Sequence, residues 1–417
     1  MADRSQQELG GLTPLQAART PNLDALASRG ACGHMYPLSP GECPSSDIAH
    51  WSILGYSEYP FCGRTSLEAI GAGHRLEEGE VLFRVNLATT TTEMGKTYVQ
   101  VAPAYLQDEE ASELYAELAT FEASDFGSRL IHLGGPFMAL VLSGGASPKV
   151  TDSDPLFYRL PVPRIVPLDD APAAAAATAS ELTRFSEFAA EALSSHKVNV
   201  GRVGAGMNVI NSVLIKWPSF PPDVPSFAEA WGFNAVALAS GVFYKGLATA
   251  LGIEFHSPPD CGPGEAFEWE LKEGLEYIEG DRDFAFLRTK SADEASHAGD
   301  PKRKVAVLEE LDHKIAILLD SNDARDDLLI AITADHASPS GGSEEVIHSG
   351  ESVPVVLVGG TVRVDGVVRF DEVSCCAGSL GQLRGRDVMP LLLNATNRAR
   401  FITSRTNSSD RPYRPIG

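Results

Sequence analysis

LLIAITADHASPSGGSEEVIH, Leu328 to His348, joins a short apolar run to an Asp-His pair and a second histidine. Leu328 to Ala334 holds only Leu, Ile and Ala apart from Thr333, the pattern of a strand covered by helices on both faces. Such strands usually lie centrally in parallel sheets. Ligands of open α/β sheets collect outside the carboxyl ends of the strands, so Asp335 and His336 are expected where chemistry is done. His348 follows after a loop rich in Ser, Gly and Pro. One carboxylate and two imidazoles suit a divalent transition metal such as Mn²⁺ or Zn²⁺. With equal weight, the triplet alone reads as a turn-capping Asp335 and two surface histidines.

A second stretch shifts that balance. Asp283 to Leu287 (DFAFL) reads as another short strand, followed by TKSADEASH, which carries Asp293 and His297. Four residues apart, these two face one way on a helical turn. Asp300-Pro301 then opens a helix in N-cap and first-turn order, with Leu308, Leu311, Ile315 and Leu318 as its apolar stripe. Two strand ends with Asp/His sets favour a two-metal site over either pair alone.

The 417 residues are enough for two domains, and 43% hydrophobic with 22% charged residues is ordinary for a globular protein. A net charge of -22 argues against nucleic acid or an anionic membrane surface as the main partner. Cys32, Cys43, Cys62, Cys261, Cys375 and Cys376 show no C-x-x-C spacing and read as free thiols of a reducing compartment. No signal peptide or apolar span is visible, so a cytoplasmic location is expected.

Taken in order, the first regular element expected is a helix in TPNLDALASRG, with Thr20 as N-cap, Pro21 in the first turn and Gly30 as stop. No strand precedes it. Helical character returns near Asp47 to Leu54 and Ser66 to Ile70. Ser46 falls at a helix N-terminus, where N–H groups and the dipole favour an anion, including a phosphate on that serine; plain N-capping by Ser45 or Ser46 is the simpler reading. Segments VLFRVNLATTTT, KTYVQVAPAY and FMALVLSGG read as strands, and an Ala-rich helix runs from about Ala173 to Leu193. These mark an inserted α+β domain over 76–218, within a discontinuous α/β domain of 1–75 and 219–417. Beyond the prolines of VLIKWPSFPPDVP come a helix (SFAEAWG), a strand (FNAVALAS) and a helix containing Lys245. Near the C-terminus, GSLGQLRGRDVMPLLLNATNRARF ends in a helix, with Arg384 and Arg386 as structural charges or anion contacts.

The pieces TPLQAARTPNLDALASRG, SSDIAHWSILGY, GRTSLEAIGAG, FRVNLATT, KVTDSDP, KSADEASH, TADHASP and GSLGQLRGRDVMPLLL, in this order, resemble the archaeal-type cofactor-independent phosphoglycerate mutases of the alkaline phosphatase superfamily. The resemblance spans almost the whole chain. It implies an alkaline-phosphatase-like doubly wound sheet with an inserted α+β lid, and interconversion of 3-phosphoglycerate and 2-phosphoglycerate through a phosphoserine. Ser46 in SSDIAH matches the serine that is phosphorylated. One metal would be held by Asp293, His297 and His348, the other by Asp335, His336 and Ser46. The ions would be two Mn²⁺, with Zn²⁺, Co²⁺ and Mg²⁺ as alternatives. Arg64 and Lys245 match positions that hold the phosphoryl group and the substrate carboxylate.

The chain departs from the family pattern at three places. GRTSLEA lacks the Gly-Pro usual after the arginine. Lys216 stands where an arginine is usual, a point charge in place of a planar fork. The first strand, ending in Asp-Gly ahead of the Asp-Arg matched to Asp3-Arg4, is missing. Its absence should leave neighbouring strand edges unpaired, apolar surface uncovered and the Ser46 metal site one oxygen ligand short, and a start upstream of Met1 is preferred over a natural inactive form. The alternatives are a metal-dependent phosphatase or phosphonate hydrolase of the same superfamily, or a catalytically silent truncated homologue.

Overall fold

The apolar run that opens the sequence argument does form a strand, but not the central one. The computed structural model describes residues 1–156, 160–325, 327–341 and 347–399. Residues 342–346 of the Ser/Gly loop and the tail from 400 lie outside the described residues. In chain order the strands are β1 (Gly30–Tyr36), β2 (Val81–Glu93), β3 (Lys96–Val101), β4 (Gly127–Gly134), β5 (Phe137–Ser143) and β6 (Ser212–Ser219). They continue with β7 (Ala235–Ala239), β8 (Glu254–His256), β9 (Phe284–Arg288), β10 (Leu329–Ile332), β11 (Val353–Gly359) and β12 (Gly381–Arg384).

The chain divides into two compact units. The first comprises 1–61, 224–241 and 251–417; the second comprises 62–223 and 242–250. The expected insertion of 76–218 lies within the second unit, which also takes in 62–75, 219–223 and the Lys245 helix.

In the first unit, β8, β7 and β9 form a parallel sheet with β7 in the middle. A second sheet runs β10-β11-β1-β12, with β11 antiparallel to both β10 and β1 and β12 parallel to β1. The expectation of a central parallel strand at Leu328 to Ala334 is therefore corrected: β10 is an edge strand paired antiparallel to β11. The buried central place belongs to β11, whose residues Val353 to Val358 are all buried, whereas Ile330 alone is fully buried in β10. The strand β1, with its Gly, Cys and His residues, has no β-like composition to announce it.

The strands β9 and β10 each have one pairing partner among the described residues. Between their other edges lies a cavity of about 790 Å³, lined by Phe286 and Leu287 of β9, Ile330 and Ile332 of β10, and Leu271, Leu308 and Ile315 from helices Pro263–Glu279 and Pro301–Ala324. Met1 also lines it. Unpaired edges beside uncovered apolar side chains are what an α/β sheet presents when it is interrupted between these two strands.

Before the expected first helix come a 3-10 turn, Gln7–Leu9, and a short helix, Pro14–Ala17. The helix Pro21–Ser28 begins after Thr20 as expected, but the Thr20 side chain makes no cap bond. Asp312 of the Pro301–Ala324 helix does that work instead: its carboxylate accepts from the backbone N–H of Leu23 at 2.7 Å and of Asn22 at 3.2 Å.

The second unit is built on an antiparallel sheet β3-β2-β5-β4 with β6 on the other side of β2. The Ala-rich helix Ala174–Ser194 buries Ala175, Ala179, Leu182, Phe185, Ala189 and Leu193, a stripe at helical spacing, into a core with Phe83, Val85 and Leu140. Among the described residues no helix is long and apolar enough to cross a membrane.

Candidate metal and phosphoryl-transfer site

Three segments of the first unit bring the site together. After β9, the helix Ser291–His297 puts Asp293 and His297 one turn apart, with His297 Nε2 3.4 Å from Asp293 Oδ1. The next helix can start at Pro301 because the Asp300 carboxylate accepts from the N–H groups of Lys302 and Arg303. After β10 come Asp335 and His336. Ser46 is the first residue of the helix Ser46–Ile53.

The capping reading of Ser45 and Ser46 does not hold. Ser45 occupies the cap position without a side-chain cap bond, its hydroxyl being hydrogen-bonded to Asp47. Ser46 turns its hydroxyl instead to His336, with Oγ 2.9 Å from Nε2. Around this contact lie Asp335 Oδ2, 3.3 Å from His336 Nε2, and His348, whose ring stacks on His336 at 3.6 Å between centroids. His348 Nε2 is in turn 3.8 Å from Asp293 Oδ1. Asp293, His297, Asp335, His336, His348 and Ser46 thus form one continuous cluster, although 302 residues separate its first and last members.

One close group of ligand atoms draws on both of the sets that the resemblance implies. The ligand atoms of Asp293, His336 and His348 lie within 4.8 Å of one another, so His336 sits with the set expected to contain His297. A shared hydroxyl explains it. Ser338 Oγ donates to Asp293 Oδ1 at 2.7 Å and lies 3.0 Å from His336 Nδ1, drawing the two ligands together.

Electrostatics prepare these groups for a cation. Burial raises the pKa of Asp335 and Asp293, but for Asp335 the adjoining His336, with Nε2 3.3 Å from Oδ2, and the nearby His50 outweigh it. For Asp293 the bonds from His297 and Ser338 do the same, so both carboxyls are held well below the usual range. Burial and the neighbouring His336 push His348 down to about 4, so its imidazole is neutral near pH 7. The acceptor-only carbonyl of Pro44, 3.0 Å from His348 Nδ1, requires the proton there and leaves Nε2 a bare donor atom. Asp335 Oδ2 is buried without a hydrogen bond among the described residues. Ionised carboxylates, a neutral His348 and an orphaned buried oxygen fit a divalent cation.

Sequence reasoning missed three contributors. His50, four residues after Ser46, places Nδ1 2.6 Å from the Ser46 carbonyl and 3.7 Å from Asp335 Oδ2, and burial lowers its pKa. Ser338 is the second; its signal was its place two residues after His336. The third is Lys304, with no sequence signal beyond a lysine on the apolar side of a helix. Its fully buried ammonium donates to Ala2 O at 3.0 Å, Asp3 Oδ2 at 2.9 Å and Ser338 O at 2.8 Å. Asp3 is therefore already committed: Oδ1 accepts from Arg4 N and Gln6 Nε2, and Oδ2 from Lys304 and Ser340 N.

Arg64 and Lys245 belong to the second unit. Arg64 opens the helix Arg64–Gly71; its Nε donates to Glu68 Oε1 at 2.8 Å, and its guanidinium lies 4.8 Å from the Phe243 ring centroid. Glu68, buried, also pairs with Arg84. Lys245 is exposed on the helix Val242–Ala250. That helix lies against Arg64–Gly71 backbone to backbone: a Cβ on Gly246 would stand 1.6 Å from Leu67 O, and one on Gly71 1.9 Å from Val242 O, so only glycine fits at the crossing. Lys216 Nζ bonds Asp154 Oδ2 at 2.6 Å and lies 4.2 Å from the Trp217 ring centroid. In the first unit, Arg384 and Arg386 are exposed, the first just before and the second within the short 3-10 turn Gly385–Asp387.

Known proteins match this chain along almost its full length. A family model described as the metalloenzyme superfamily covers residues 1–395. A 2,3-bisphosphoglycerate-independent phosphoglycerate mutase of Pyrobaculum calidifontis is 36% identical, over 92% of this chain and 93% of its own. The second such enzyme of Methanocaldococcus jannaschii is 37% identical, over 100% of this chain and 95% of its own. A solved Pyrococcus horikoshii protein superposes with a TM-score of 0.77 at 30% identity, covering 97% of each chain. The solved cofactor-independent phosphoglycerate mutase of Thermoplasma acidophilum gives 0.62 at 28% identity, covering 95% of this chain and 97% of its own. With the Asp/His cluster and Ser46 in the positions described, these matches place the chain in the metalloenzyme superfamily, among the 2,3-bisphosphoglycerate-independent phosphoglycerate mutases.

Proposed function

We propose that this protein interconverts 3-phosphoglycerate and 2-phosphoglycerate with Ser46 as the phosphoryl acceptor. The observation that carries this is the Ser46 hydroxyl at a helix N-terminus, 2.9 Å from His336 Nε2 and within the carboxylate and imidazole cluster. Asp293, His297 and His348, and separately Asp335, His336 and Ser46, are the residues proposed to hold two divalent ions, Mn²⁺ first among them. Bound there, the ions would neutralise the transferring phosphoryl group and fix the attacking and leaving oxygens.

The chain's own residues would do the rest. Ser46 Oγ, 2.9 Å from His336 Nε2, is the nucleophile, and its proton passes to the departing 3-oxygen of the substrate. Oγ attacks phosphorus as the bond to the substrate 3-oxygen breaks, and the first N–H groups of the Ser46–Ile53 helix face the new phosphoserine. The glycerate then reorients and takes the phosphoryl group back on its 2-oxygen. Water must be excluded throughout, because a water in place of glycerate makes the enzyme a phosphatase. Arg64 and Lys245 are the proposed partners for the substrate's phosphoryl and carboxylate charges. A glycolytic step of this kind is in keeping with the cytoplasm.

The test is purified protein with Mn²⁺ and 3-phosphoglycerate, following both 2-phosphoglycerate and free phosphate. Isomer formation is expected; free phosphate alone would make the protein a phosphatase, and neither product would make it silent. Ser46→Ala is expected to abolish turnover while leaving the fold intact. Loss of a helix cap alone would cost only about 1 kcal/mol and spare most activity, so near-wild-type turnover in the alanine variant would overturn the phosphoserine route.

A further inference from the structure

Ser338 is 1% exposed and every polar group it owns has a partner. Its N–H donates to Ala2 O at 3.1 Å, and its carbonyl accepts from Lys304 Nζ at 2.8 Å. Its backbone is therefore clamped between the start of the chain and a buried ammonium. The hydroxyl has a single hydrogen. The hydroxyl donates to Asp293 Oδ1 at 2.7 Å, the shorter of its two contacts, so that hydrogen belongs to Asp293. What Ser338 Oγ offers to His336 Nδ1, 3.0 Å away, is then a lone pair.

The consequence is directional. Ser338, at 3.0 Å the nearer partner, calls for the His336 proton on Nδ1 against the pull of Asp335 Oδ2, 3.3 Å from Nε2, and leaves Nε2 bare and facing Ser46 Oγ at 2.9 Å. The Ser46 hydroxyl donates to Nε2, His336 Nδ1–H donates to Ser338, and Ser338 donates to Asp293: one chain with one polarity, running from the nucleophile to a carboxylate of the neighbouring ligand set.

We infer that Ser338 is a positioning residue that fixes the His336 tautomer and couples His336 to Asp293, so that Nε2 is kept for the metal or for the Ser46 proton. The part concerning the metal rests on reading His336 as a ligand; the tautomer does not. Partners of this kind orient a ligating imidazole, and their removal typically weakens metal binding by 10–100-fold. Ser338→Ala removes the acceptor at Nδ1 and the donor to Asp293 together, whereas Ser338→Thr retains the hydroxyl.

The test has two readouts, neither of them turnover. In metal-free protein labelled with nitrogen-15 at histidine, at pH 8, the His336 signals are identified by their loss in His336→Gln. Wild type should show a protonated Nδ1 and a bare Nε2, and Ser338→Ala a mixture of the two tautomers. By calorimetry, Ser338→Ala should bind Mn²⁺ at least tenfold more weakly, and Ser338→Thr should recover to within about threefold. A wild-type His336 with its proton on Nε2 overturns the inference even if the alanine variant does not fold. An alanine variant with unchanged Mn²⁺ affinity and unchanged imidazole shifts overturns it as well. A wild-type protein that shows the expected tautomer but binds no Mn²⁺ defeats the proposed function and the metal coupling, while the tautomer assignment stands.

Discussion

Two buried regions of the first unit flank the same cluster and are built in opposite ways. On one side, Lys304 sits with its three ammonium hydrogens on Ala2 O, Asp3 Oδ2 and Ser338 O, and the Asp3 carboxylate takes four donors. On the other, β9 and β10 face a cavity of about 790 Å³ with apolar walls and no strand between their edges among the described residues. The polar side is closed; the sheet side is open. The loop carrying His336 and Ser338 is thus held mainly by a buried ion pair and its hydrogen bonds, while the strand that delivers it, β10, is supported along one edge.

That contrast predicts where the site breaks. Burial lowers the pKa of Lys304, against the Asp3 charge and hydrogen bond that raise it. Removing the ammonium while leaving the carboxylate buried is therefore the most damaging single change. Lys304→Met should cost roughly 3–5 kcal/mol and lower Tm by roughly 10 °C. Adding Asp3→Asn removes the stranded charge and should recover part of the loss, a coupling measured by the double-mutant cycle. Equal stability of Lys304→Met and wild type in denaturant titration would mean that the sheet side, not the polar side, holds the loop.

The next effect concerns the open side. Burial and the charge of Lys304 push the Met1 amino group down to about 6, against the pull of Asp335 and Asp293. An extension of about seven apolar β-branched residues, joined to that nitrogen as an amide, removes the buried amine and offers a strand to both free edges. Hydrogen exchange of β9 and β10 amides should slow at least tenfold, and Mn²⁺ should bind more tightly if the extension ends in Asp. A Gly/Ser extension of equal length should do neither. If both extensions behave alike, the cavity does not accept a strand.

How much of this was legible follows the same division. Patterns confined to one segment could be read: the helix spacing of Asp293 and His297, the Asp300-Pro301 start, and the stripe of the Ala174–Ser194 helix. Strand order could not, because it depends on pairings across the chain; β10 looked central from composition, yet Val353 to Val358 took that place. Ser338 and Lys304 escaped for a similar reason. A serine and a lysine carry no chemistry of their own in a sequence, and theirs arises only where residues 2, 3, 293, 304 and 338 meet. The candidate ligands could be read from their own motifs, whereas the contact of the Ser338 hydroxyl with both His336 and Asp293 could not, because it joins TADHASP to KSADEASH across the chain.

The smallest expected effect separates two buried carboxylates. Asp3 is saturated with donors, whereas Glu270, 2% exposed on a helix that lines the cavity, leaves Oε2 without a hydrogen bond among the described residues. Burial pushes the Glu270 carboxyl up to about 8, with the Arg288 charge opposing. The folded state therefore keeps this proton over a range, from about 4.5 to 8, in which the unfolded chain has lost it. In that window the folded state binds more protons, so the contribution of Glu270 to stability falls as pH rises, is absent as a penalty below the unfolded value and is largest above the folded one. Glu270→Gln is neutral at every pH and should match wild type at pH 4.5 to 5, then exceed it progressively, by several degrees in Tm at pH 8. Met1 titrates in the opposite sense, its lowered pKa favouring stability as pH rises through 6 to 8, but it is common to both proteins and cancels in their difference. A constant difference between Glu270→Gln and wild type from pH 5 to 8 would show that Glu270 is ionised throughout, and that the cavity side has a polar anchor of its own.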